Sequence, residues 1–322
     1  MQAFVTGASG FIGAHLVRRL AAGGWTVRAL DLANPLSPAP GIDIVRGDIR
    51  DPGPWKKALA GTDVLFHLAA ALGASGLSGE GFLGINARGT EAVLGAAREA
   101  GVGKTVHVSS VGVVGAVKPG AIADEDAPPN PQNAYDRSKL EGERIALDLA
   151  RGGAGVVVVR PGWVYGPGDR RTFKVIQAIH DRRFALVAPD RGRQTPIFID
   201  DLVDGLLLTA EKGRRGEIYH LTGDEVLTVR RMAALIAEAC GVPAPRLRIP
   251  VLPARIGAWA LEKAFGLLGK EAPLNRSRLA FFLDPKALSN AKARRDIGFR
   301  PKVDFRTGAA RAVAWYREQG WL

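Results

Sequence analysis

Two stretches of the sequence hold residue types that could do chemistry together. Tyr135-Asp136-Arg137-Ser138-Lys139 places a phenol and an ammonium at i and i+4, on one helix face, so both can reach the same ligand. A phenol whose pKa is lowered from about 10 by nearby positive charge can exchange a proton with a hydroxyl or carbonyl near neutral pH. The second stretch is Thr6-Gly7-Ala8-Ser9-Gly10-Phe11-Ile12-Gly13. Glycines there permit a tight turn and close approach of the backbone to a pyrophosphate. A helix opening at that point adds unpaired N–H groups and its positive dipole end.

The elements that must position these groups alternate. Near-continuous apolar runs predict strands at Phe4–Thr6, Thr26–Leu30, Ile42–Arg46, Val64–Leu68, Thr105–Ser109 and Val156–Arg160. Helical patterns such as Ile12–Ala22 and Arg88–Ala100 lie between them. This order predicts an α/β fold, a doubly wound parallel sheet of Rossmann type with its ligand crevice at the carboxyl ends of the strands. After Pro161 the rhythm is irregular, with a loop at Pro167–Arg170, a strand at Pro196–Ile199 and a helix at Asp201–Glu211. Thr228 is the expected N-cap of a helix to Cys240 that Gly241 closes. A strand near Leu247–Ile249, a helix at Ala254–Leu268 and a last helix near Arg306–Glu318 follow. We expect a dinucleotide-binding domain over 1–165, with 196–212 returning to it. A smaller α/β substrate-binding lobe would take up most of 166–322.

The glycine stretch follows a strand and opens a helix, and Asp31 ends the second strand, where an acid binds the adenosine ribose hydroxyls. Gly7, Ser9, Gly10, Phe11, Ile12, Gly13 and Asp31 are therefore expected cofactor contacts. The Asp31 carboxylate would repel a 2′-phosphate, and Leu32-Ala33-Asn34 supplies no arginine to hold one. The expected cofactor is NAD rather than NADP. The positive ring of the oxidised form, with Lys139, is expected to lower the Tyr135 pKa.

With two residues between successive glycines, the motif resembles that of the extended short-chain dehydrogenase/reductase family, in its epimerase/dehydratase and 3β-hydroxysteroid dehydrogenase-like branch. Further matches follow in order. Asp48-Ile49 resembles the family's adenine contact, His67-Leu68-Ala69-Ala70 its strand-four signature, and Asn86 its helix-four asparagine. Pro161-Gly162 resembles its nicotinamide-side turn, and Tyr135 to Lys139 its Y-x-x-x-K. The resemblance implies that Lys139 also binds the nicotinamide ribose. It also implies that Ser110, five residues before Gly115, completes a catalytic set of Ser110, Tyr135 and Lys139. Ser109 is the alternative serine and joins Leu68, Ala69, Ala70, Asn86, Pro161 and Gly162 among the implied cofactor contacts. His67 and His107 are read as packing residues.

Composition bounds the rest. Of 44 basic and 32 acidic residues, 14 and 15 fall in residues 1–150, leaving 30 and 17 beyond, a balance of −1 against +13. The arginines of the second half are scattered and no nucleic-acid motif accompanies them, so nucleic acid is not an expected partner. Cys240 stands alone and no Cys/His cluster suggests a metal. Met1 runs directly into the first strand and no long apolar run is present, so a cytoplasmic protein is expected.

The substrate reading divides. Val111-Gly112 after Ser110 lacks the acidic pair of the family's sugar dehydratases, Val114 replaces a tyrosine frequent in nucleotide-sugar members, and Gln194 stands where they carry an arginine, although Arg193 adjoins it. In Leu252–Leu268, Ile256, Trp259, Leu261, Phe265 and Leu267 form a broad apolar face with Arg255, Glu262 and Lys263 to one side. That face is read first as core packing, with a hydrophobic substrate entrance or an interfacial helix as the alternative. The expected activity is a dehydrogenase or reductase of a hydrophobic, hydroxysteroid- or dihydroflavonol-like alcohol or ketone. The alternatives are a nucleotide-sugar epimerase and a non-catalytic NAD-binding subunit, against which the intact Ser110, Tyr135 and Lys139 argue. The expected partners are a small hydrophobic or anionic substrate, a second copy in a homodimer, and peripheral contact with a membrane.

Overall fold

The computed structural model describes residues 1–32, 36–73, 76–267 and 276–322. Along the first half run β1 (Gln2–Thr6), α1 (Phe11–Ala22), β2 (Thr26–Asp31), β3 (Ile42–Arg46), β4 (Val64–His67), α2 (Gly79–Leu83), α3 (Gly89–Glu99), β5 (Lys104–Val108), α4 (Ala134–Arg151) and β6 (Val156–Pro161). Then come β7 (Trp163–Tyr165), α5 (Arg170–His180), β8 (Leu186–Ala188), β9 (Arg193–Gln194), β10 (Pro196–Phe198), α6 (Ile199–Lys212) and β11 (Ile218–Leu221). The remainder holds β12 (Leu227–Thr228), α7 (Val229–Cys240), β13 (Arg248–Pro250), α8 (Val251–Leu267), α9 (Arg276–Leu283), α10 (Ala291–Ile297) and α11 (Phe305–Glu318).

Seven parallel strands form the main sheet in the order β11-β6-β5-β4-β1-β2-β3. Side chains alternate across a strand, so the sheet feeds two cores. Ala3 and Val5 of β1 join the cluster that holds Leu16 and Val17 of α1, Leu202 of α6 and Val313 of α11. Phe4 points the other way, to Trp55, Val93 of α3 and Ala146 of α4. β4 and β6 are buried along their whole length, which explains their unbroken apolar runs. This is the expected doubly wound parallel sheet. β11 has no counterpart among the expected strands. It is short, and His220 interrupts its apolar run.

The capping signals hold at α7: the Thr228 hydroxyl accepts the Arg231 N–H at 3.0 Å, and Gly241 closes the helix in the left-handed conformation. α5 starts inside the expected Pro167–Arg170 loop because the Asp169 carboxylate caps its first turn. A π turn, Gly84–Arg88, joins α2 to α3 and carries Asn86. No helix of the described residues is long and apolar enough to cross a membrane.

The expected single apolar face of α8 needs correction. Ala254 and Ala258 are the residues that bury, against Val187 and Leu279, whereas Ile256 and Trp259 are exposed. Core packing therefore does not account for those two side chains. The Leu267 side chain and Leu268, like Ala33 and Asn34 of the adenosine-side reading, lie outside the described residues.

Candidate active site

A groove of about 870 Å³ opens at the carboxyl ends of β1, β2 and β4. Gly7, Ser9, Gly10, Phe11, Ile12, Gly13 and Asp31 line it, followed by Asp48, Ile49, Leu68, Ala69 and Ala70. The glycines are there for contact reasons. Gly7 has a positive φ of 69°, and a Cβ on it would stand 2.7 Å from the Ala69 nitrogen. A Cβ on Gly13 would meet the Gly7 carbonyl oxygen at 2.1 Å. Gly10 caps α1 with no side-chain hydrogen bond, so the first N–H groups of the helix face the groove without a side-chain partner.

Asp31 organises this loop from β2. One carboxylate oxygen accepts the Ser9 N–H at 2.9 Å and the other the Leu32 N–H at 2.8 Å. The buried Ser9 hydroxyl has no hydrogen-bond partner among the described residues. An orphaned hydroxyl beside a glycine cradle and a helix N-terminus fits a dinucleotide pyrophosphate.

Arg50, at the adenosine end, was not anticipated. It lines the groove, but Asp48 engages it with Nη2–Oδ2 at 2.5 Å and Nε–Oδ1 at 3.0 Å. That ion pair holds the Asp48 carboxyl below its ordinary range. The Asp-x-Arg spacing was the available signal. Pro167, Arg170, Trp315 and Trp321 close the opposite wall, and nothing local in their sequence marks them.

Asn86 stands behind the wall. Its amide accepts the Ala71 N–H at 2.7 Å, donates to the Ala71 carbonyl at 3.1 Å and to the Ser138 hydroxyl at 2.9 Å, tying the β4 loop to α4. His67 ties β4 to its neighbours as a packing residue. The Thr90 hydroxyl donates to the Asn86 carbonyl at 2.8 Å, which leaves its oxygen to accept from His67 Nε2 at 3.0 Å. Nδ1 then accepts from the Thr6 hydroxyl at 2.7 Å. Burial, with the charge of Lys139 adding to it, pushes His67 down to about 3 and keeps it neutral. The His107 ring packs 5.3 Å from it.

The structure brings Ser110, Tyr135 and Lys139 to one place from two elements. Ser110 follows β5, where its hydroxyl accepts the Gly112 N–H at 3.0 Å and stands close enough to the Tyr135 phenol to oppose the rise in its pKa. Asn133 caps α4 by accepting the Asp136 N–H at 2.8 Å, which sets Tyr135 on the first turn. Tyr135 sits against Phe82 and the Gly73 backbone. Lys139 is buried, its Nζ donating to the Val108 carbonyl at 2.8 Å. The expected lowering of the phenol pKa by Lys139 is not what the protein alone does. Burial raises Tyr135, and the groups that oppose this are the Ser110 hydroxyl and the Arg171 charge. Burial also lowers Lys139 to about 8, against the pull of Glu143.

Ser109 and Pro161-Gly162 sit beside this set. The Ser109 hydroxyl is buried without a hydrogen-bond partner among the described residues. Gly162 donates to the Leu221 carbonyl at 2.9 Å, and a Cβ on it would meet the Thr195 oxygen at 2.2 Å.

A doubly wound sheet with a glycine-cradled groove and a Ser-Tyr-Lys set defines the class as a dinucleotide-dependent enzyme of oxidation and reduction at carbon. Residues 3–222 match the NAD dependent epimerase/dehydratase family, and the chain belongs to it. NAD is the cofactor that this membership assigns to the groove. The chain is 34% identical to a 4-hydroxy-2-methyl-3-oxo-4-farnesyl-3,4-dihydroquinoline-1-oxide ketoreductase of Stigmatella aurantiaca, over 96% of this chain and 94% of the relative. It is 33% identical to sterol demethylase protein B of Methylococcus capsulatus over the full length of both. Among solved structures, DesIV, a dTDP-glucose 4,6-dehydratase from Streptomyces venezuelae with NAD and TYD bound, superposes with a TM-score of 0.82 at 29% identity, covering 100% of this chain and 98% of that one.

Proposed function

We propose that this chain transfers hydride between NAD and a secondary alcohol or ketone of a hydrophobic substrate, of hydroxysteroid or dihydroflavonol type. The wall that follows Pro161-Gly162 carries this reading. Trp163 is half-buried, with Phe281 of α9 5.3 Å away and Phe305 at 6.2 Å. Gln194 is buried and donates to the Phe281 carbonyl at 3.3 Å, so this neutral amide supports the aromatic wall and brings no charge for a nucleotide phosphate. Val114 packs with Ala123 and Leu288. Two relatives bear the names of hydrophobic substrates, a farnesylated dihydroquinoline oxide and a sterol.

Bound NAD supplies or accepts the hydride. Tyr135 Oη exchanges the proton with the substrate oxygen, and Ser110, beside the phenol, orients that oxygen. Lys139 Nζ, fixed by the Val108 carbonyl, keeps its remaining N–H groups for the nicotinamide ribose. Ser9, Asp31 and the α1 N-terminus hold the adenosine and pyrophosphate end.

One observation favours a second reading, a nucleotide-sugar epimerase. Arg193 Nη1 is buried with no hydrogen-bond partner among the described residues, beside Gln194, and would suit a phosphate. The two readings separate by whether reduced cofactor leaves the enzyme. With NAD and panels of hydroxysteroids, flavonoid alcohols and nucleotide sugars, stoichiometric NADH with a hydrophobic alcohol is expected. Interconversion of two nucleotide-sugar epimers without NADH accumulation would overturn the proposal in favour of the second reading.

A further inference from the structure

Helix α8 has two opposite faces, and three large apolar side chains lie on the outward one, whereas the half-buried Leu261 and Phe265 fall with Ala254 and Ala258 on the inward side. At about 100° per residue, Leu252, Arg255, Ile256, Trp259 and Lys263 fall within one stripe. Ala254 and Ala258 lie roughly opposite and are 4% and 0% exposed. Leu252, Ile256 and Trp259 are 69%, 58% and 54% exposed. An ordinary surface helix turns its large apolar residues inward. The segment before α8 extends the pattern, with Leu247 63% exposed between the exposed Arg246 and Arg248. The acid in α8, Glu262, lies at the edge of the stripe, about 20° beyond Arg255.

We propose that this outward face of α8, with Arg246, Leu247 and Arg248, docks on an anionic lipid bilayer. Two signals coincide there, as stable peripheral binding requires. Leucine, isoleucine and tryptophan side chains can enter the headgroup boundary, and four cationic side chains can face lipid phosphates. Charge argues against a second copy as the occupant. A second copy would bring the same excess of positive charge to this face, Arg246, Arg248, Arg255 and Lys263 against Glu262. A nucleic-acid backbone would gain nothing from the Leu252-Ile256-Trp259 stripe. The inference rests on the α8 face alone and is independent of the substrate reading.

Sedimentation of the full chain with vesicles tests it without substrate. Each basic residue near an anionic surface strengthens binding roughly fivefold. The chain should therefore bind phosphatidylglycerol vesicles at least about tenfold more tightly than pure phosphatidylcholine vesicles, and salt should weaken that binding. A Leu252→Ser/Ile256→Ser/Trp259→Ser variant should lose vesicle binding while its NAD affinity and melting temperature stay unchanged. Arg255→Glu/Lys263→Glu should abolish the preference for phosphatidylglycerol. Equal vesicle binding by the triple variant and the parent would overturn the proposal, as would no binding to phosphatidylglycerol. Self-association of the parent that the triple variant loses would instead assign the face to a second copy. Duplex DNA binding lost in that variant would assign it to nucleic acid. Either result rejects the bilayer.

Discussion

Arg160 on β6 and Glu143 on α4 form a two-pronged ion pair, Nη2–Oε1 2.6 Å and Nε–Oε2 3.0 Å, with both side chains buried. It joins the helix that carries Tyr135 and Lys139 to the strand that ends in Pro161. Removing one partner leaves an uncompensated buried charge, a cost of about 3–5 kcal/mol. Glu143→Ala should lose that much stability in urea unfolding. Glu143→Met/Arg160→Met should recover most of it, because apolar replacement of both partners removes the stranded charge. Stability of Glu143→Ala within about 1 kcal/mol of the parent would show that the pair contributes little, as exposed pairs do.

Tyr135→Phe removes the proton that the substrate oxygen needs and leaves the dinucleotide groove intact. Turnover should fall by about two orders of magnitude or more, with NAD affinity little changed. Lys139→Met should impair both. Near-normal turnover in Tyr135→Phe would remove the phenol from the chemistry.

Cofactor choice rests on two carboxylates. NAD should bind about tenfold tighter than NADP, equivalent to about 1.4 kcal/mol. Asp31→Ala should narrow that gap and weaken NAD binding, since the Ser9 and Leu32 N–H groups lose their acceptor. Asp48→Ala should narrow it by another route, by freeing Arg50 to meet a 2′-phosphate. Titration calorimetry with both cofactors decides. An unchanged ratio in both variants would place the discrimination elsewhere.

Lys139 gives the fold a pH signature. Its pKa is lowered from 10.5 to about 8 by burial, so between these values the unfolded chain binds more protons than the native one. Stability from this residue therefore rises with pH across about 8 to 10.5 and is flat below. Unfolding free energies at about pH 7.5 and 10 should show this rise in the parent, relative to Lys139→Met. A difference between the two proteins that does not change with pH would mean that Lys139 titrates normally.

The parts legible in the sequence were those with short-range signals. The apolar runs of β1, β4 and β6, the glycine loop and the Thr228 and Gly241 caps each follow from adjacent residues. β11 was missed because its four residues lie in the irregular stretch after Pro161, outside the strand–helix alternation that marks β4. Asn86 was expected as a cofactor contact, but its grip on Ala71 and Ser138 joins elements far apart in the chain. The same holds for the approach of Ser110 to Tyr135 and for the wall contributed by Trp315 and Trp321. The α8 face misled because helical periodicity shows that a stripe is apolar and not which way it points.

The groove that begins at Gly7 is closed by Trp315 and Trp321. Its two walls are therefore made at opposite times during translation. A nascent chain stopped short of α11 already has the glycine loop and Asp31, yet one side of the groove is still open to water. Full cofactor grip is thus a late event in biogenesis. Tight NAD retention should report that α11 has docked against α7 and β10.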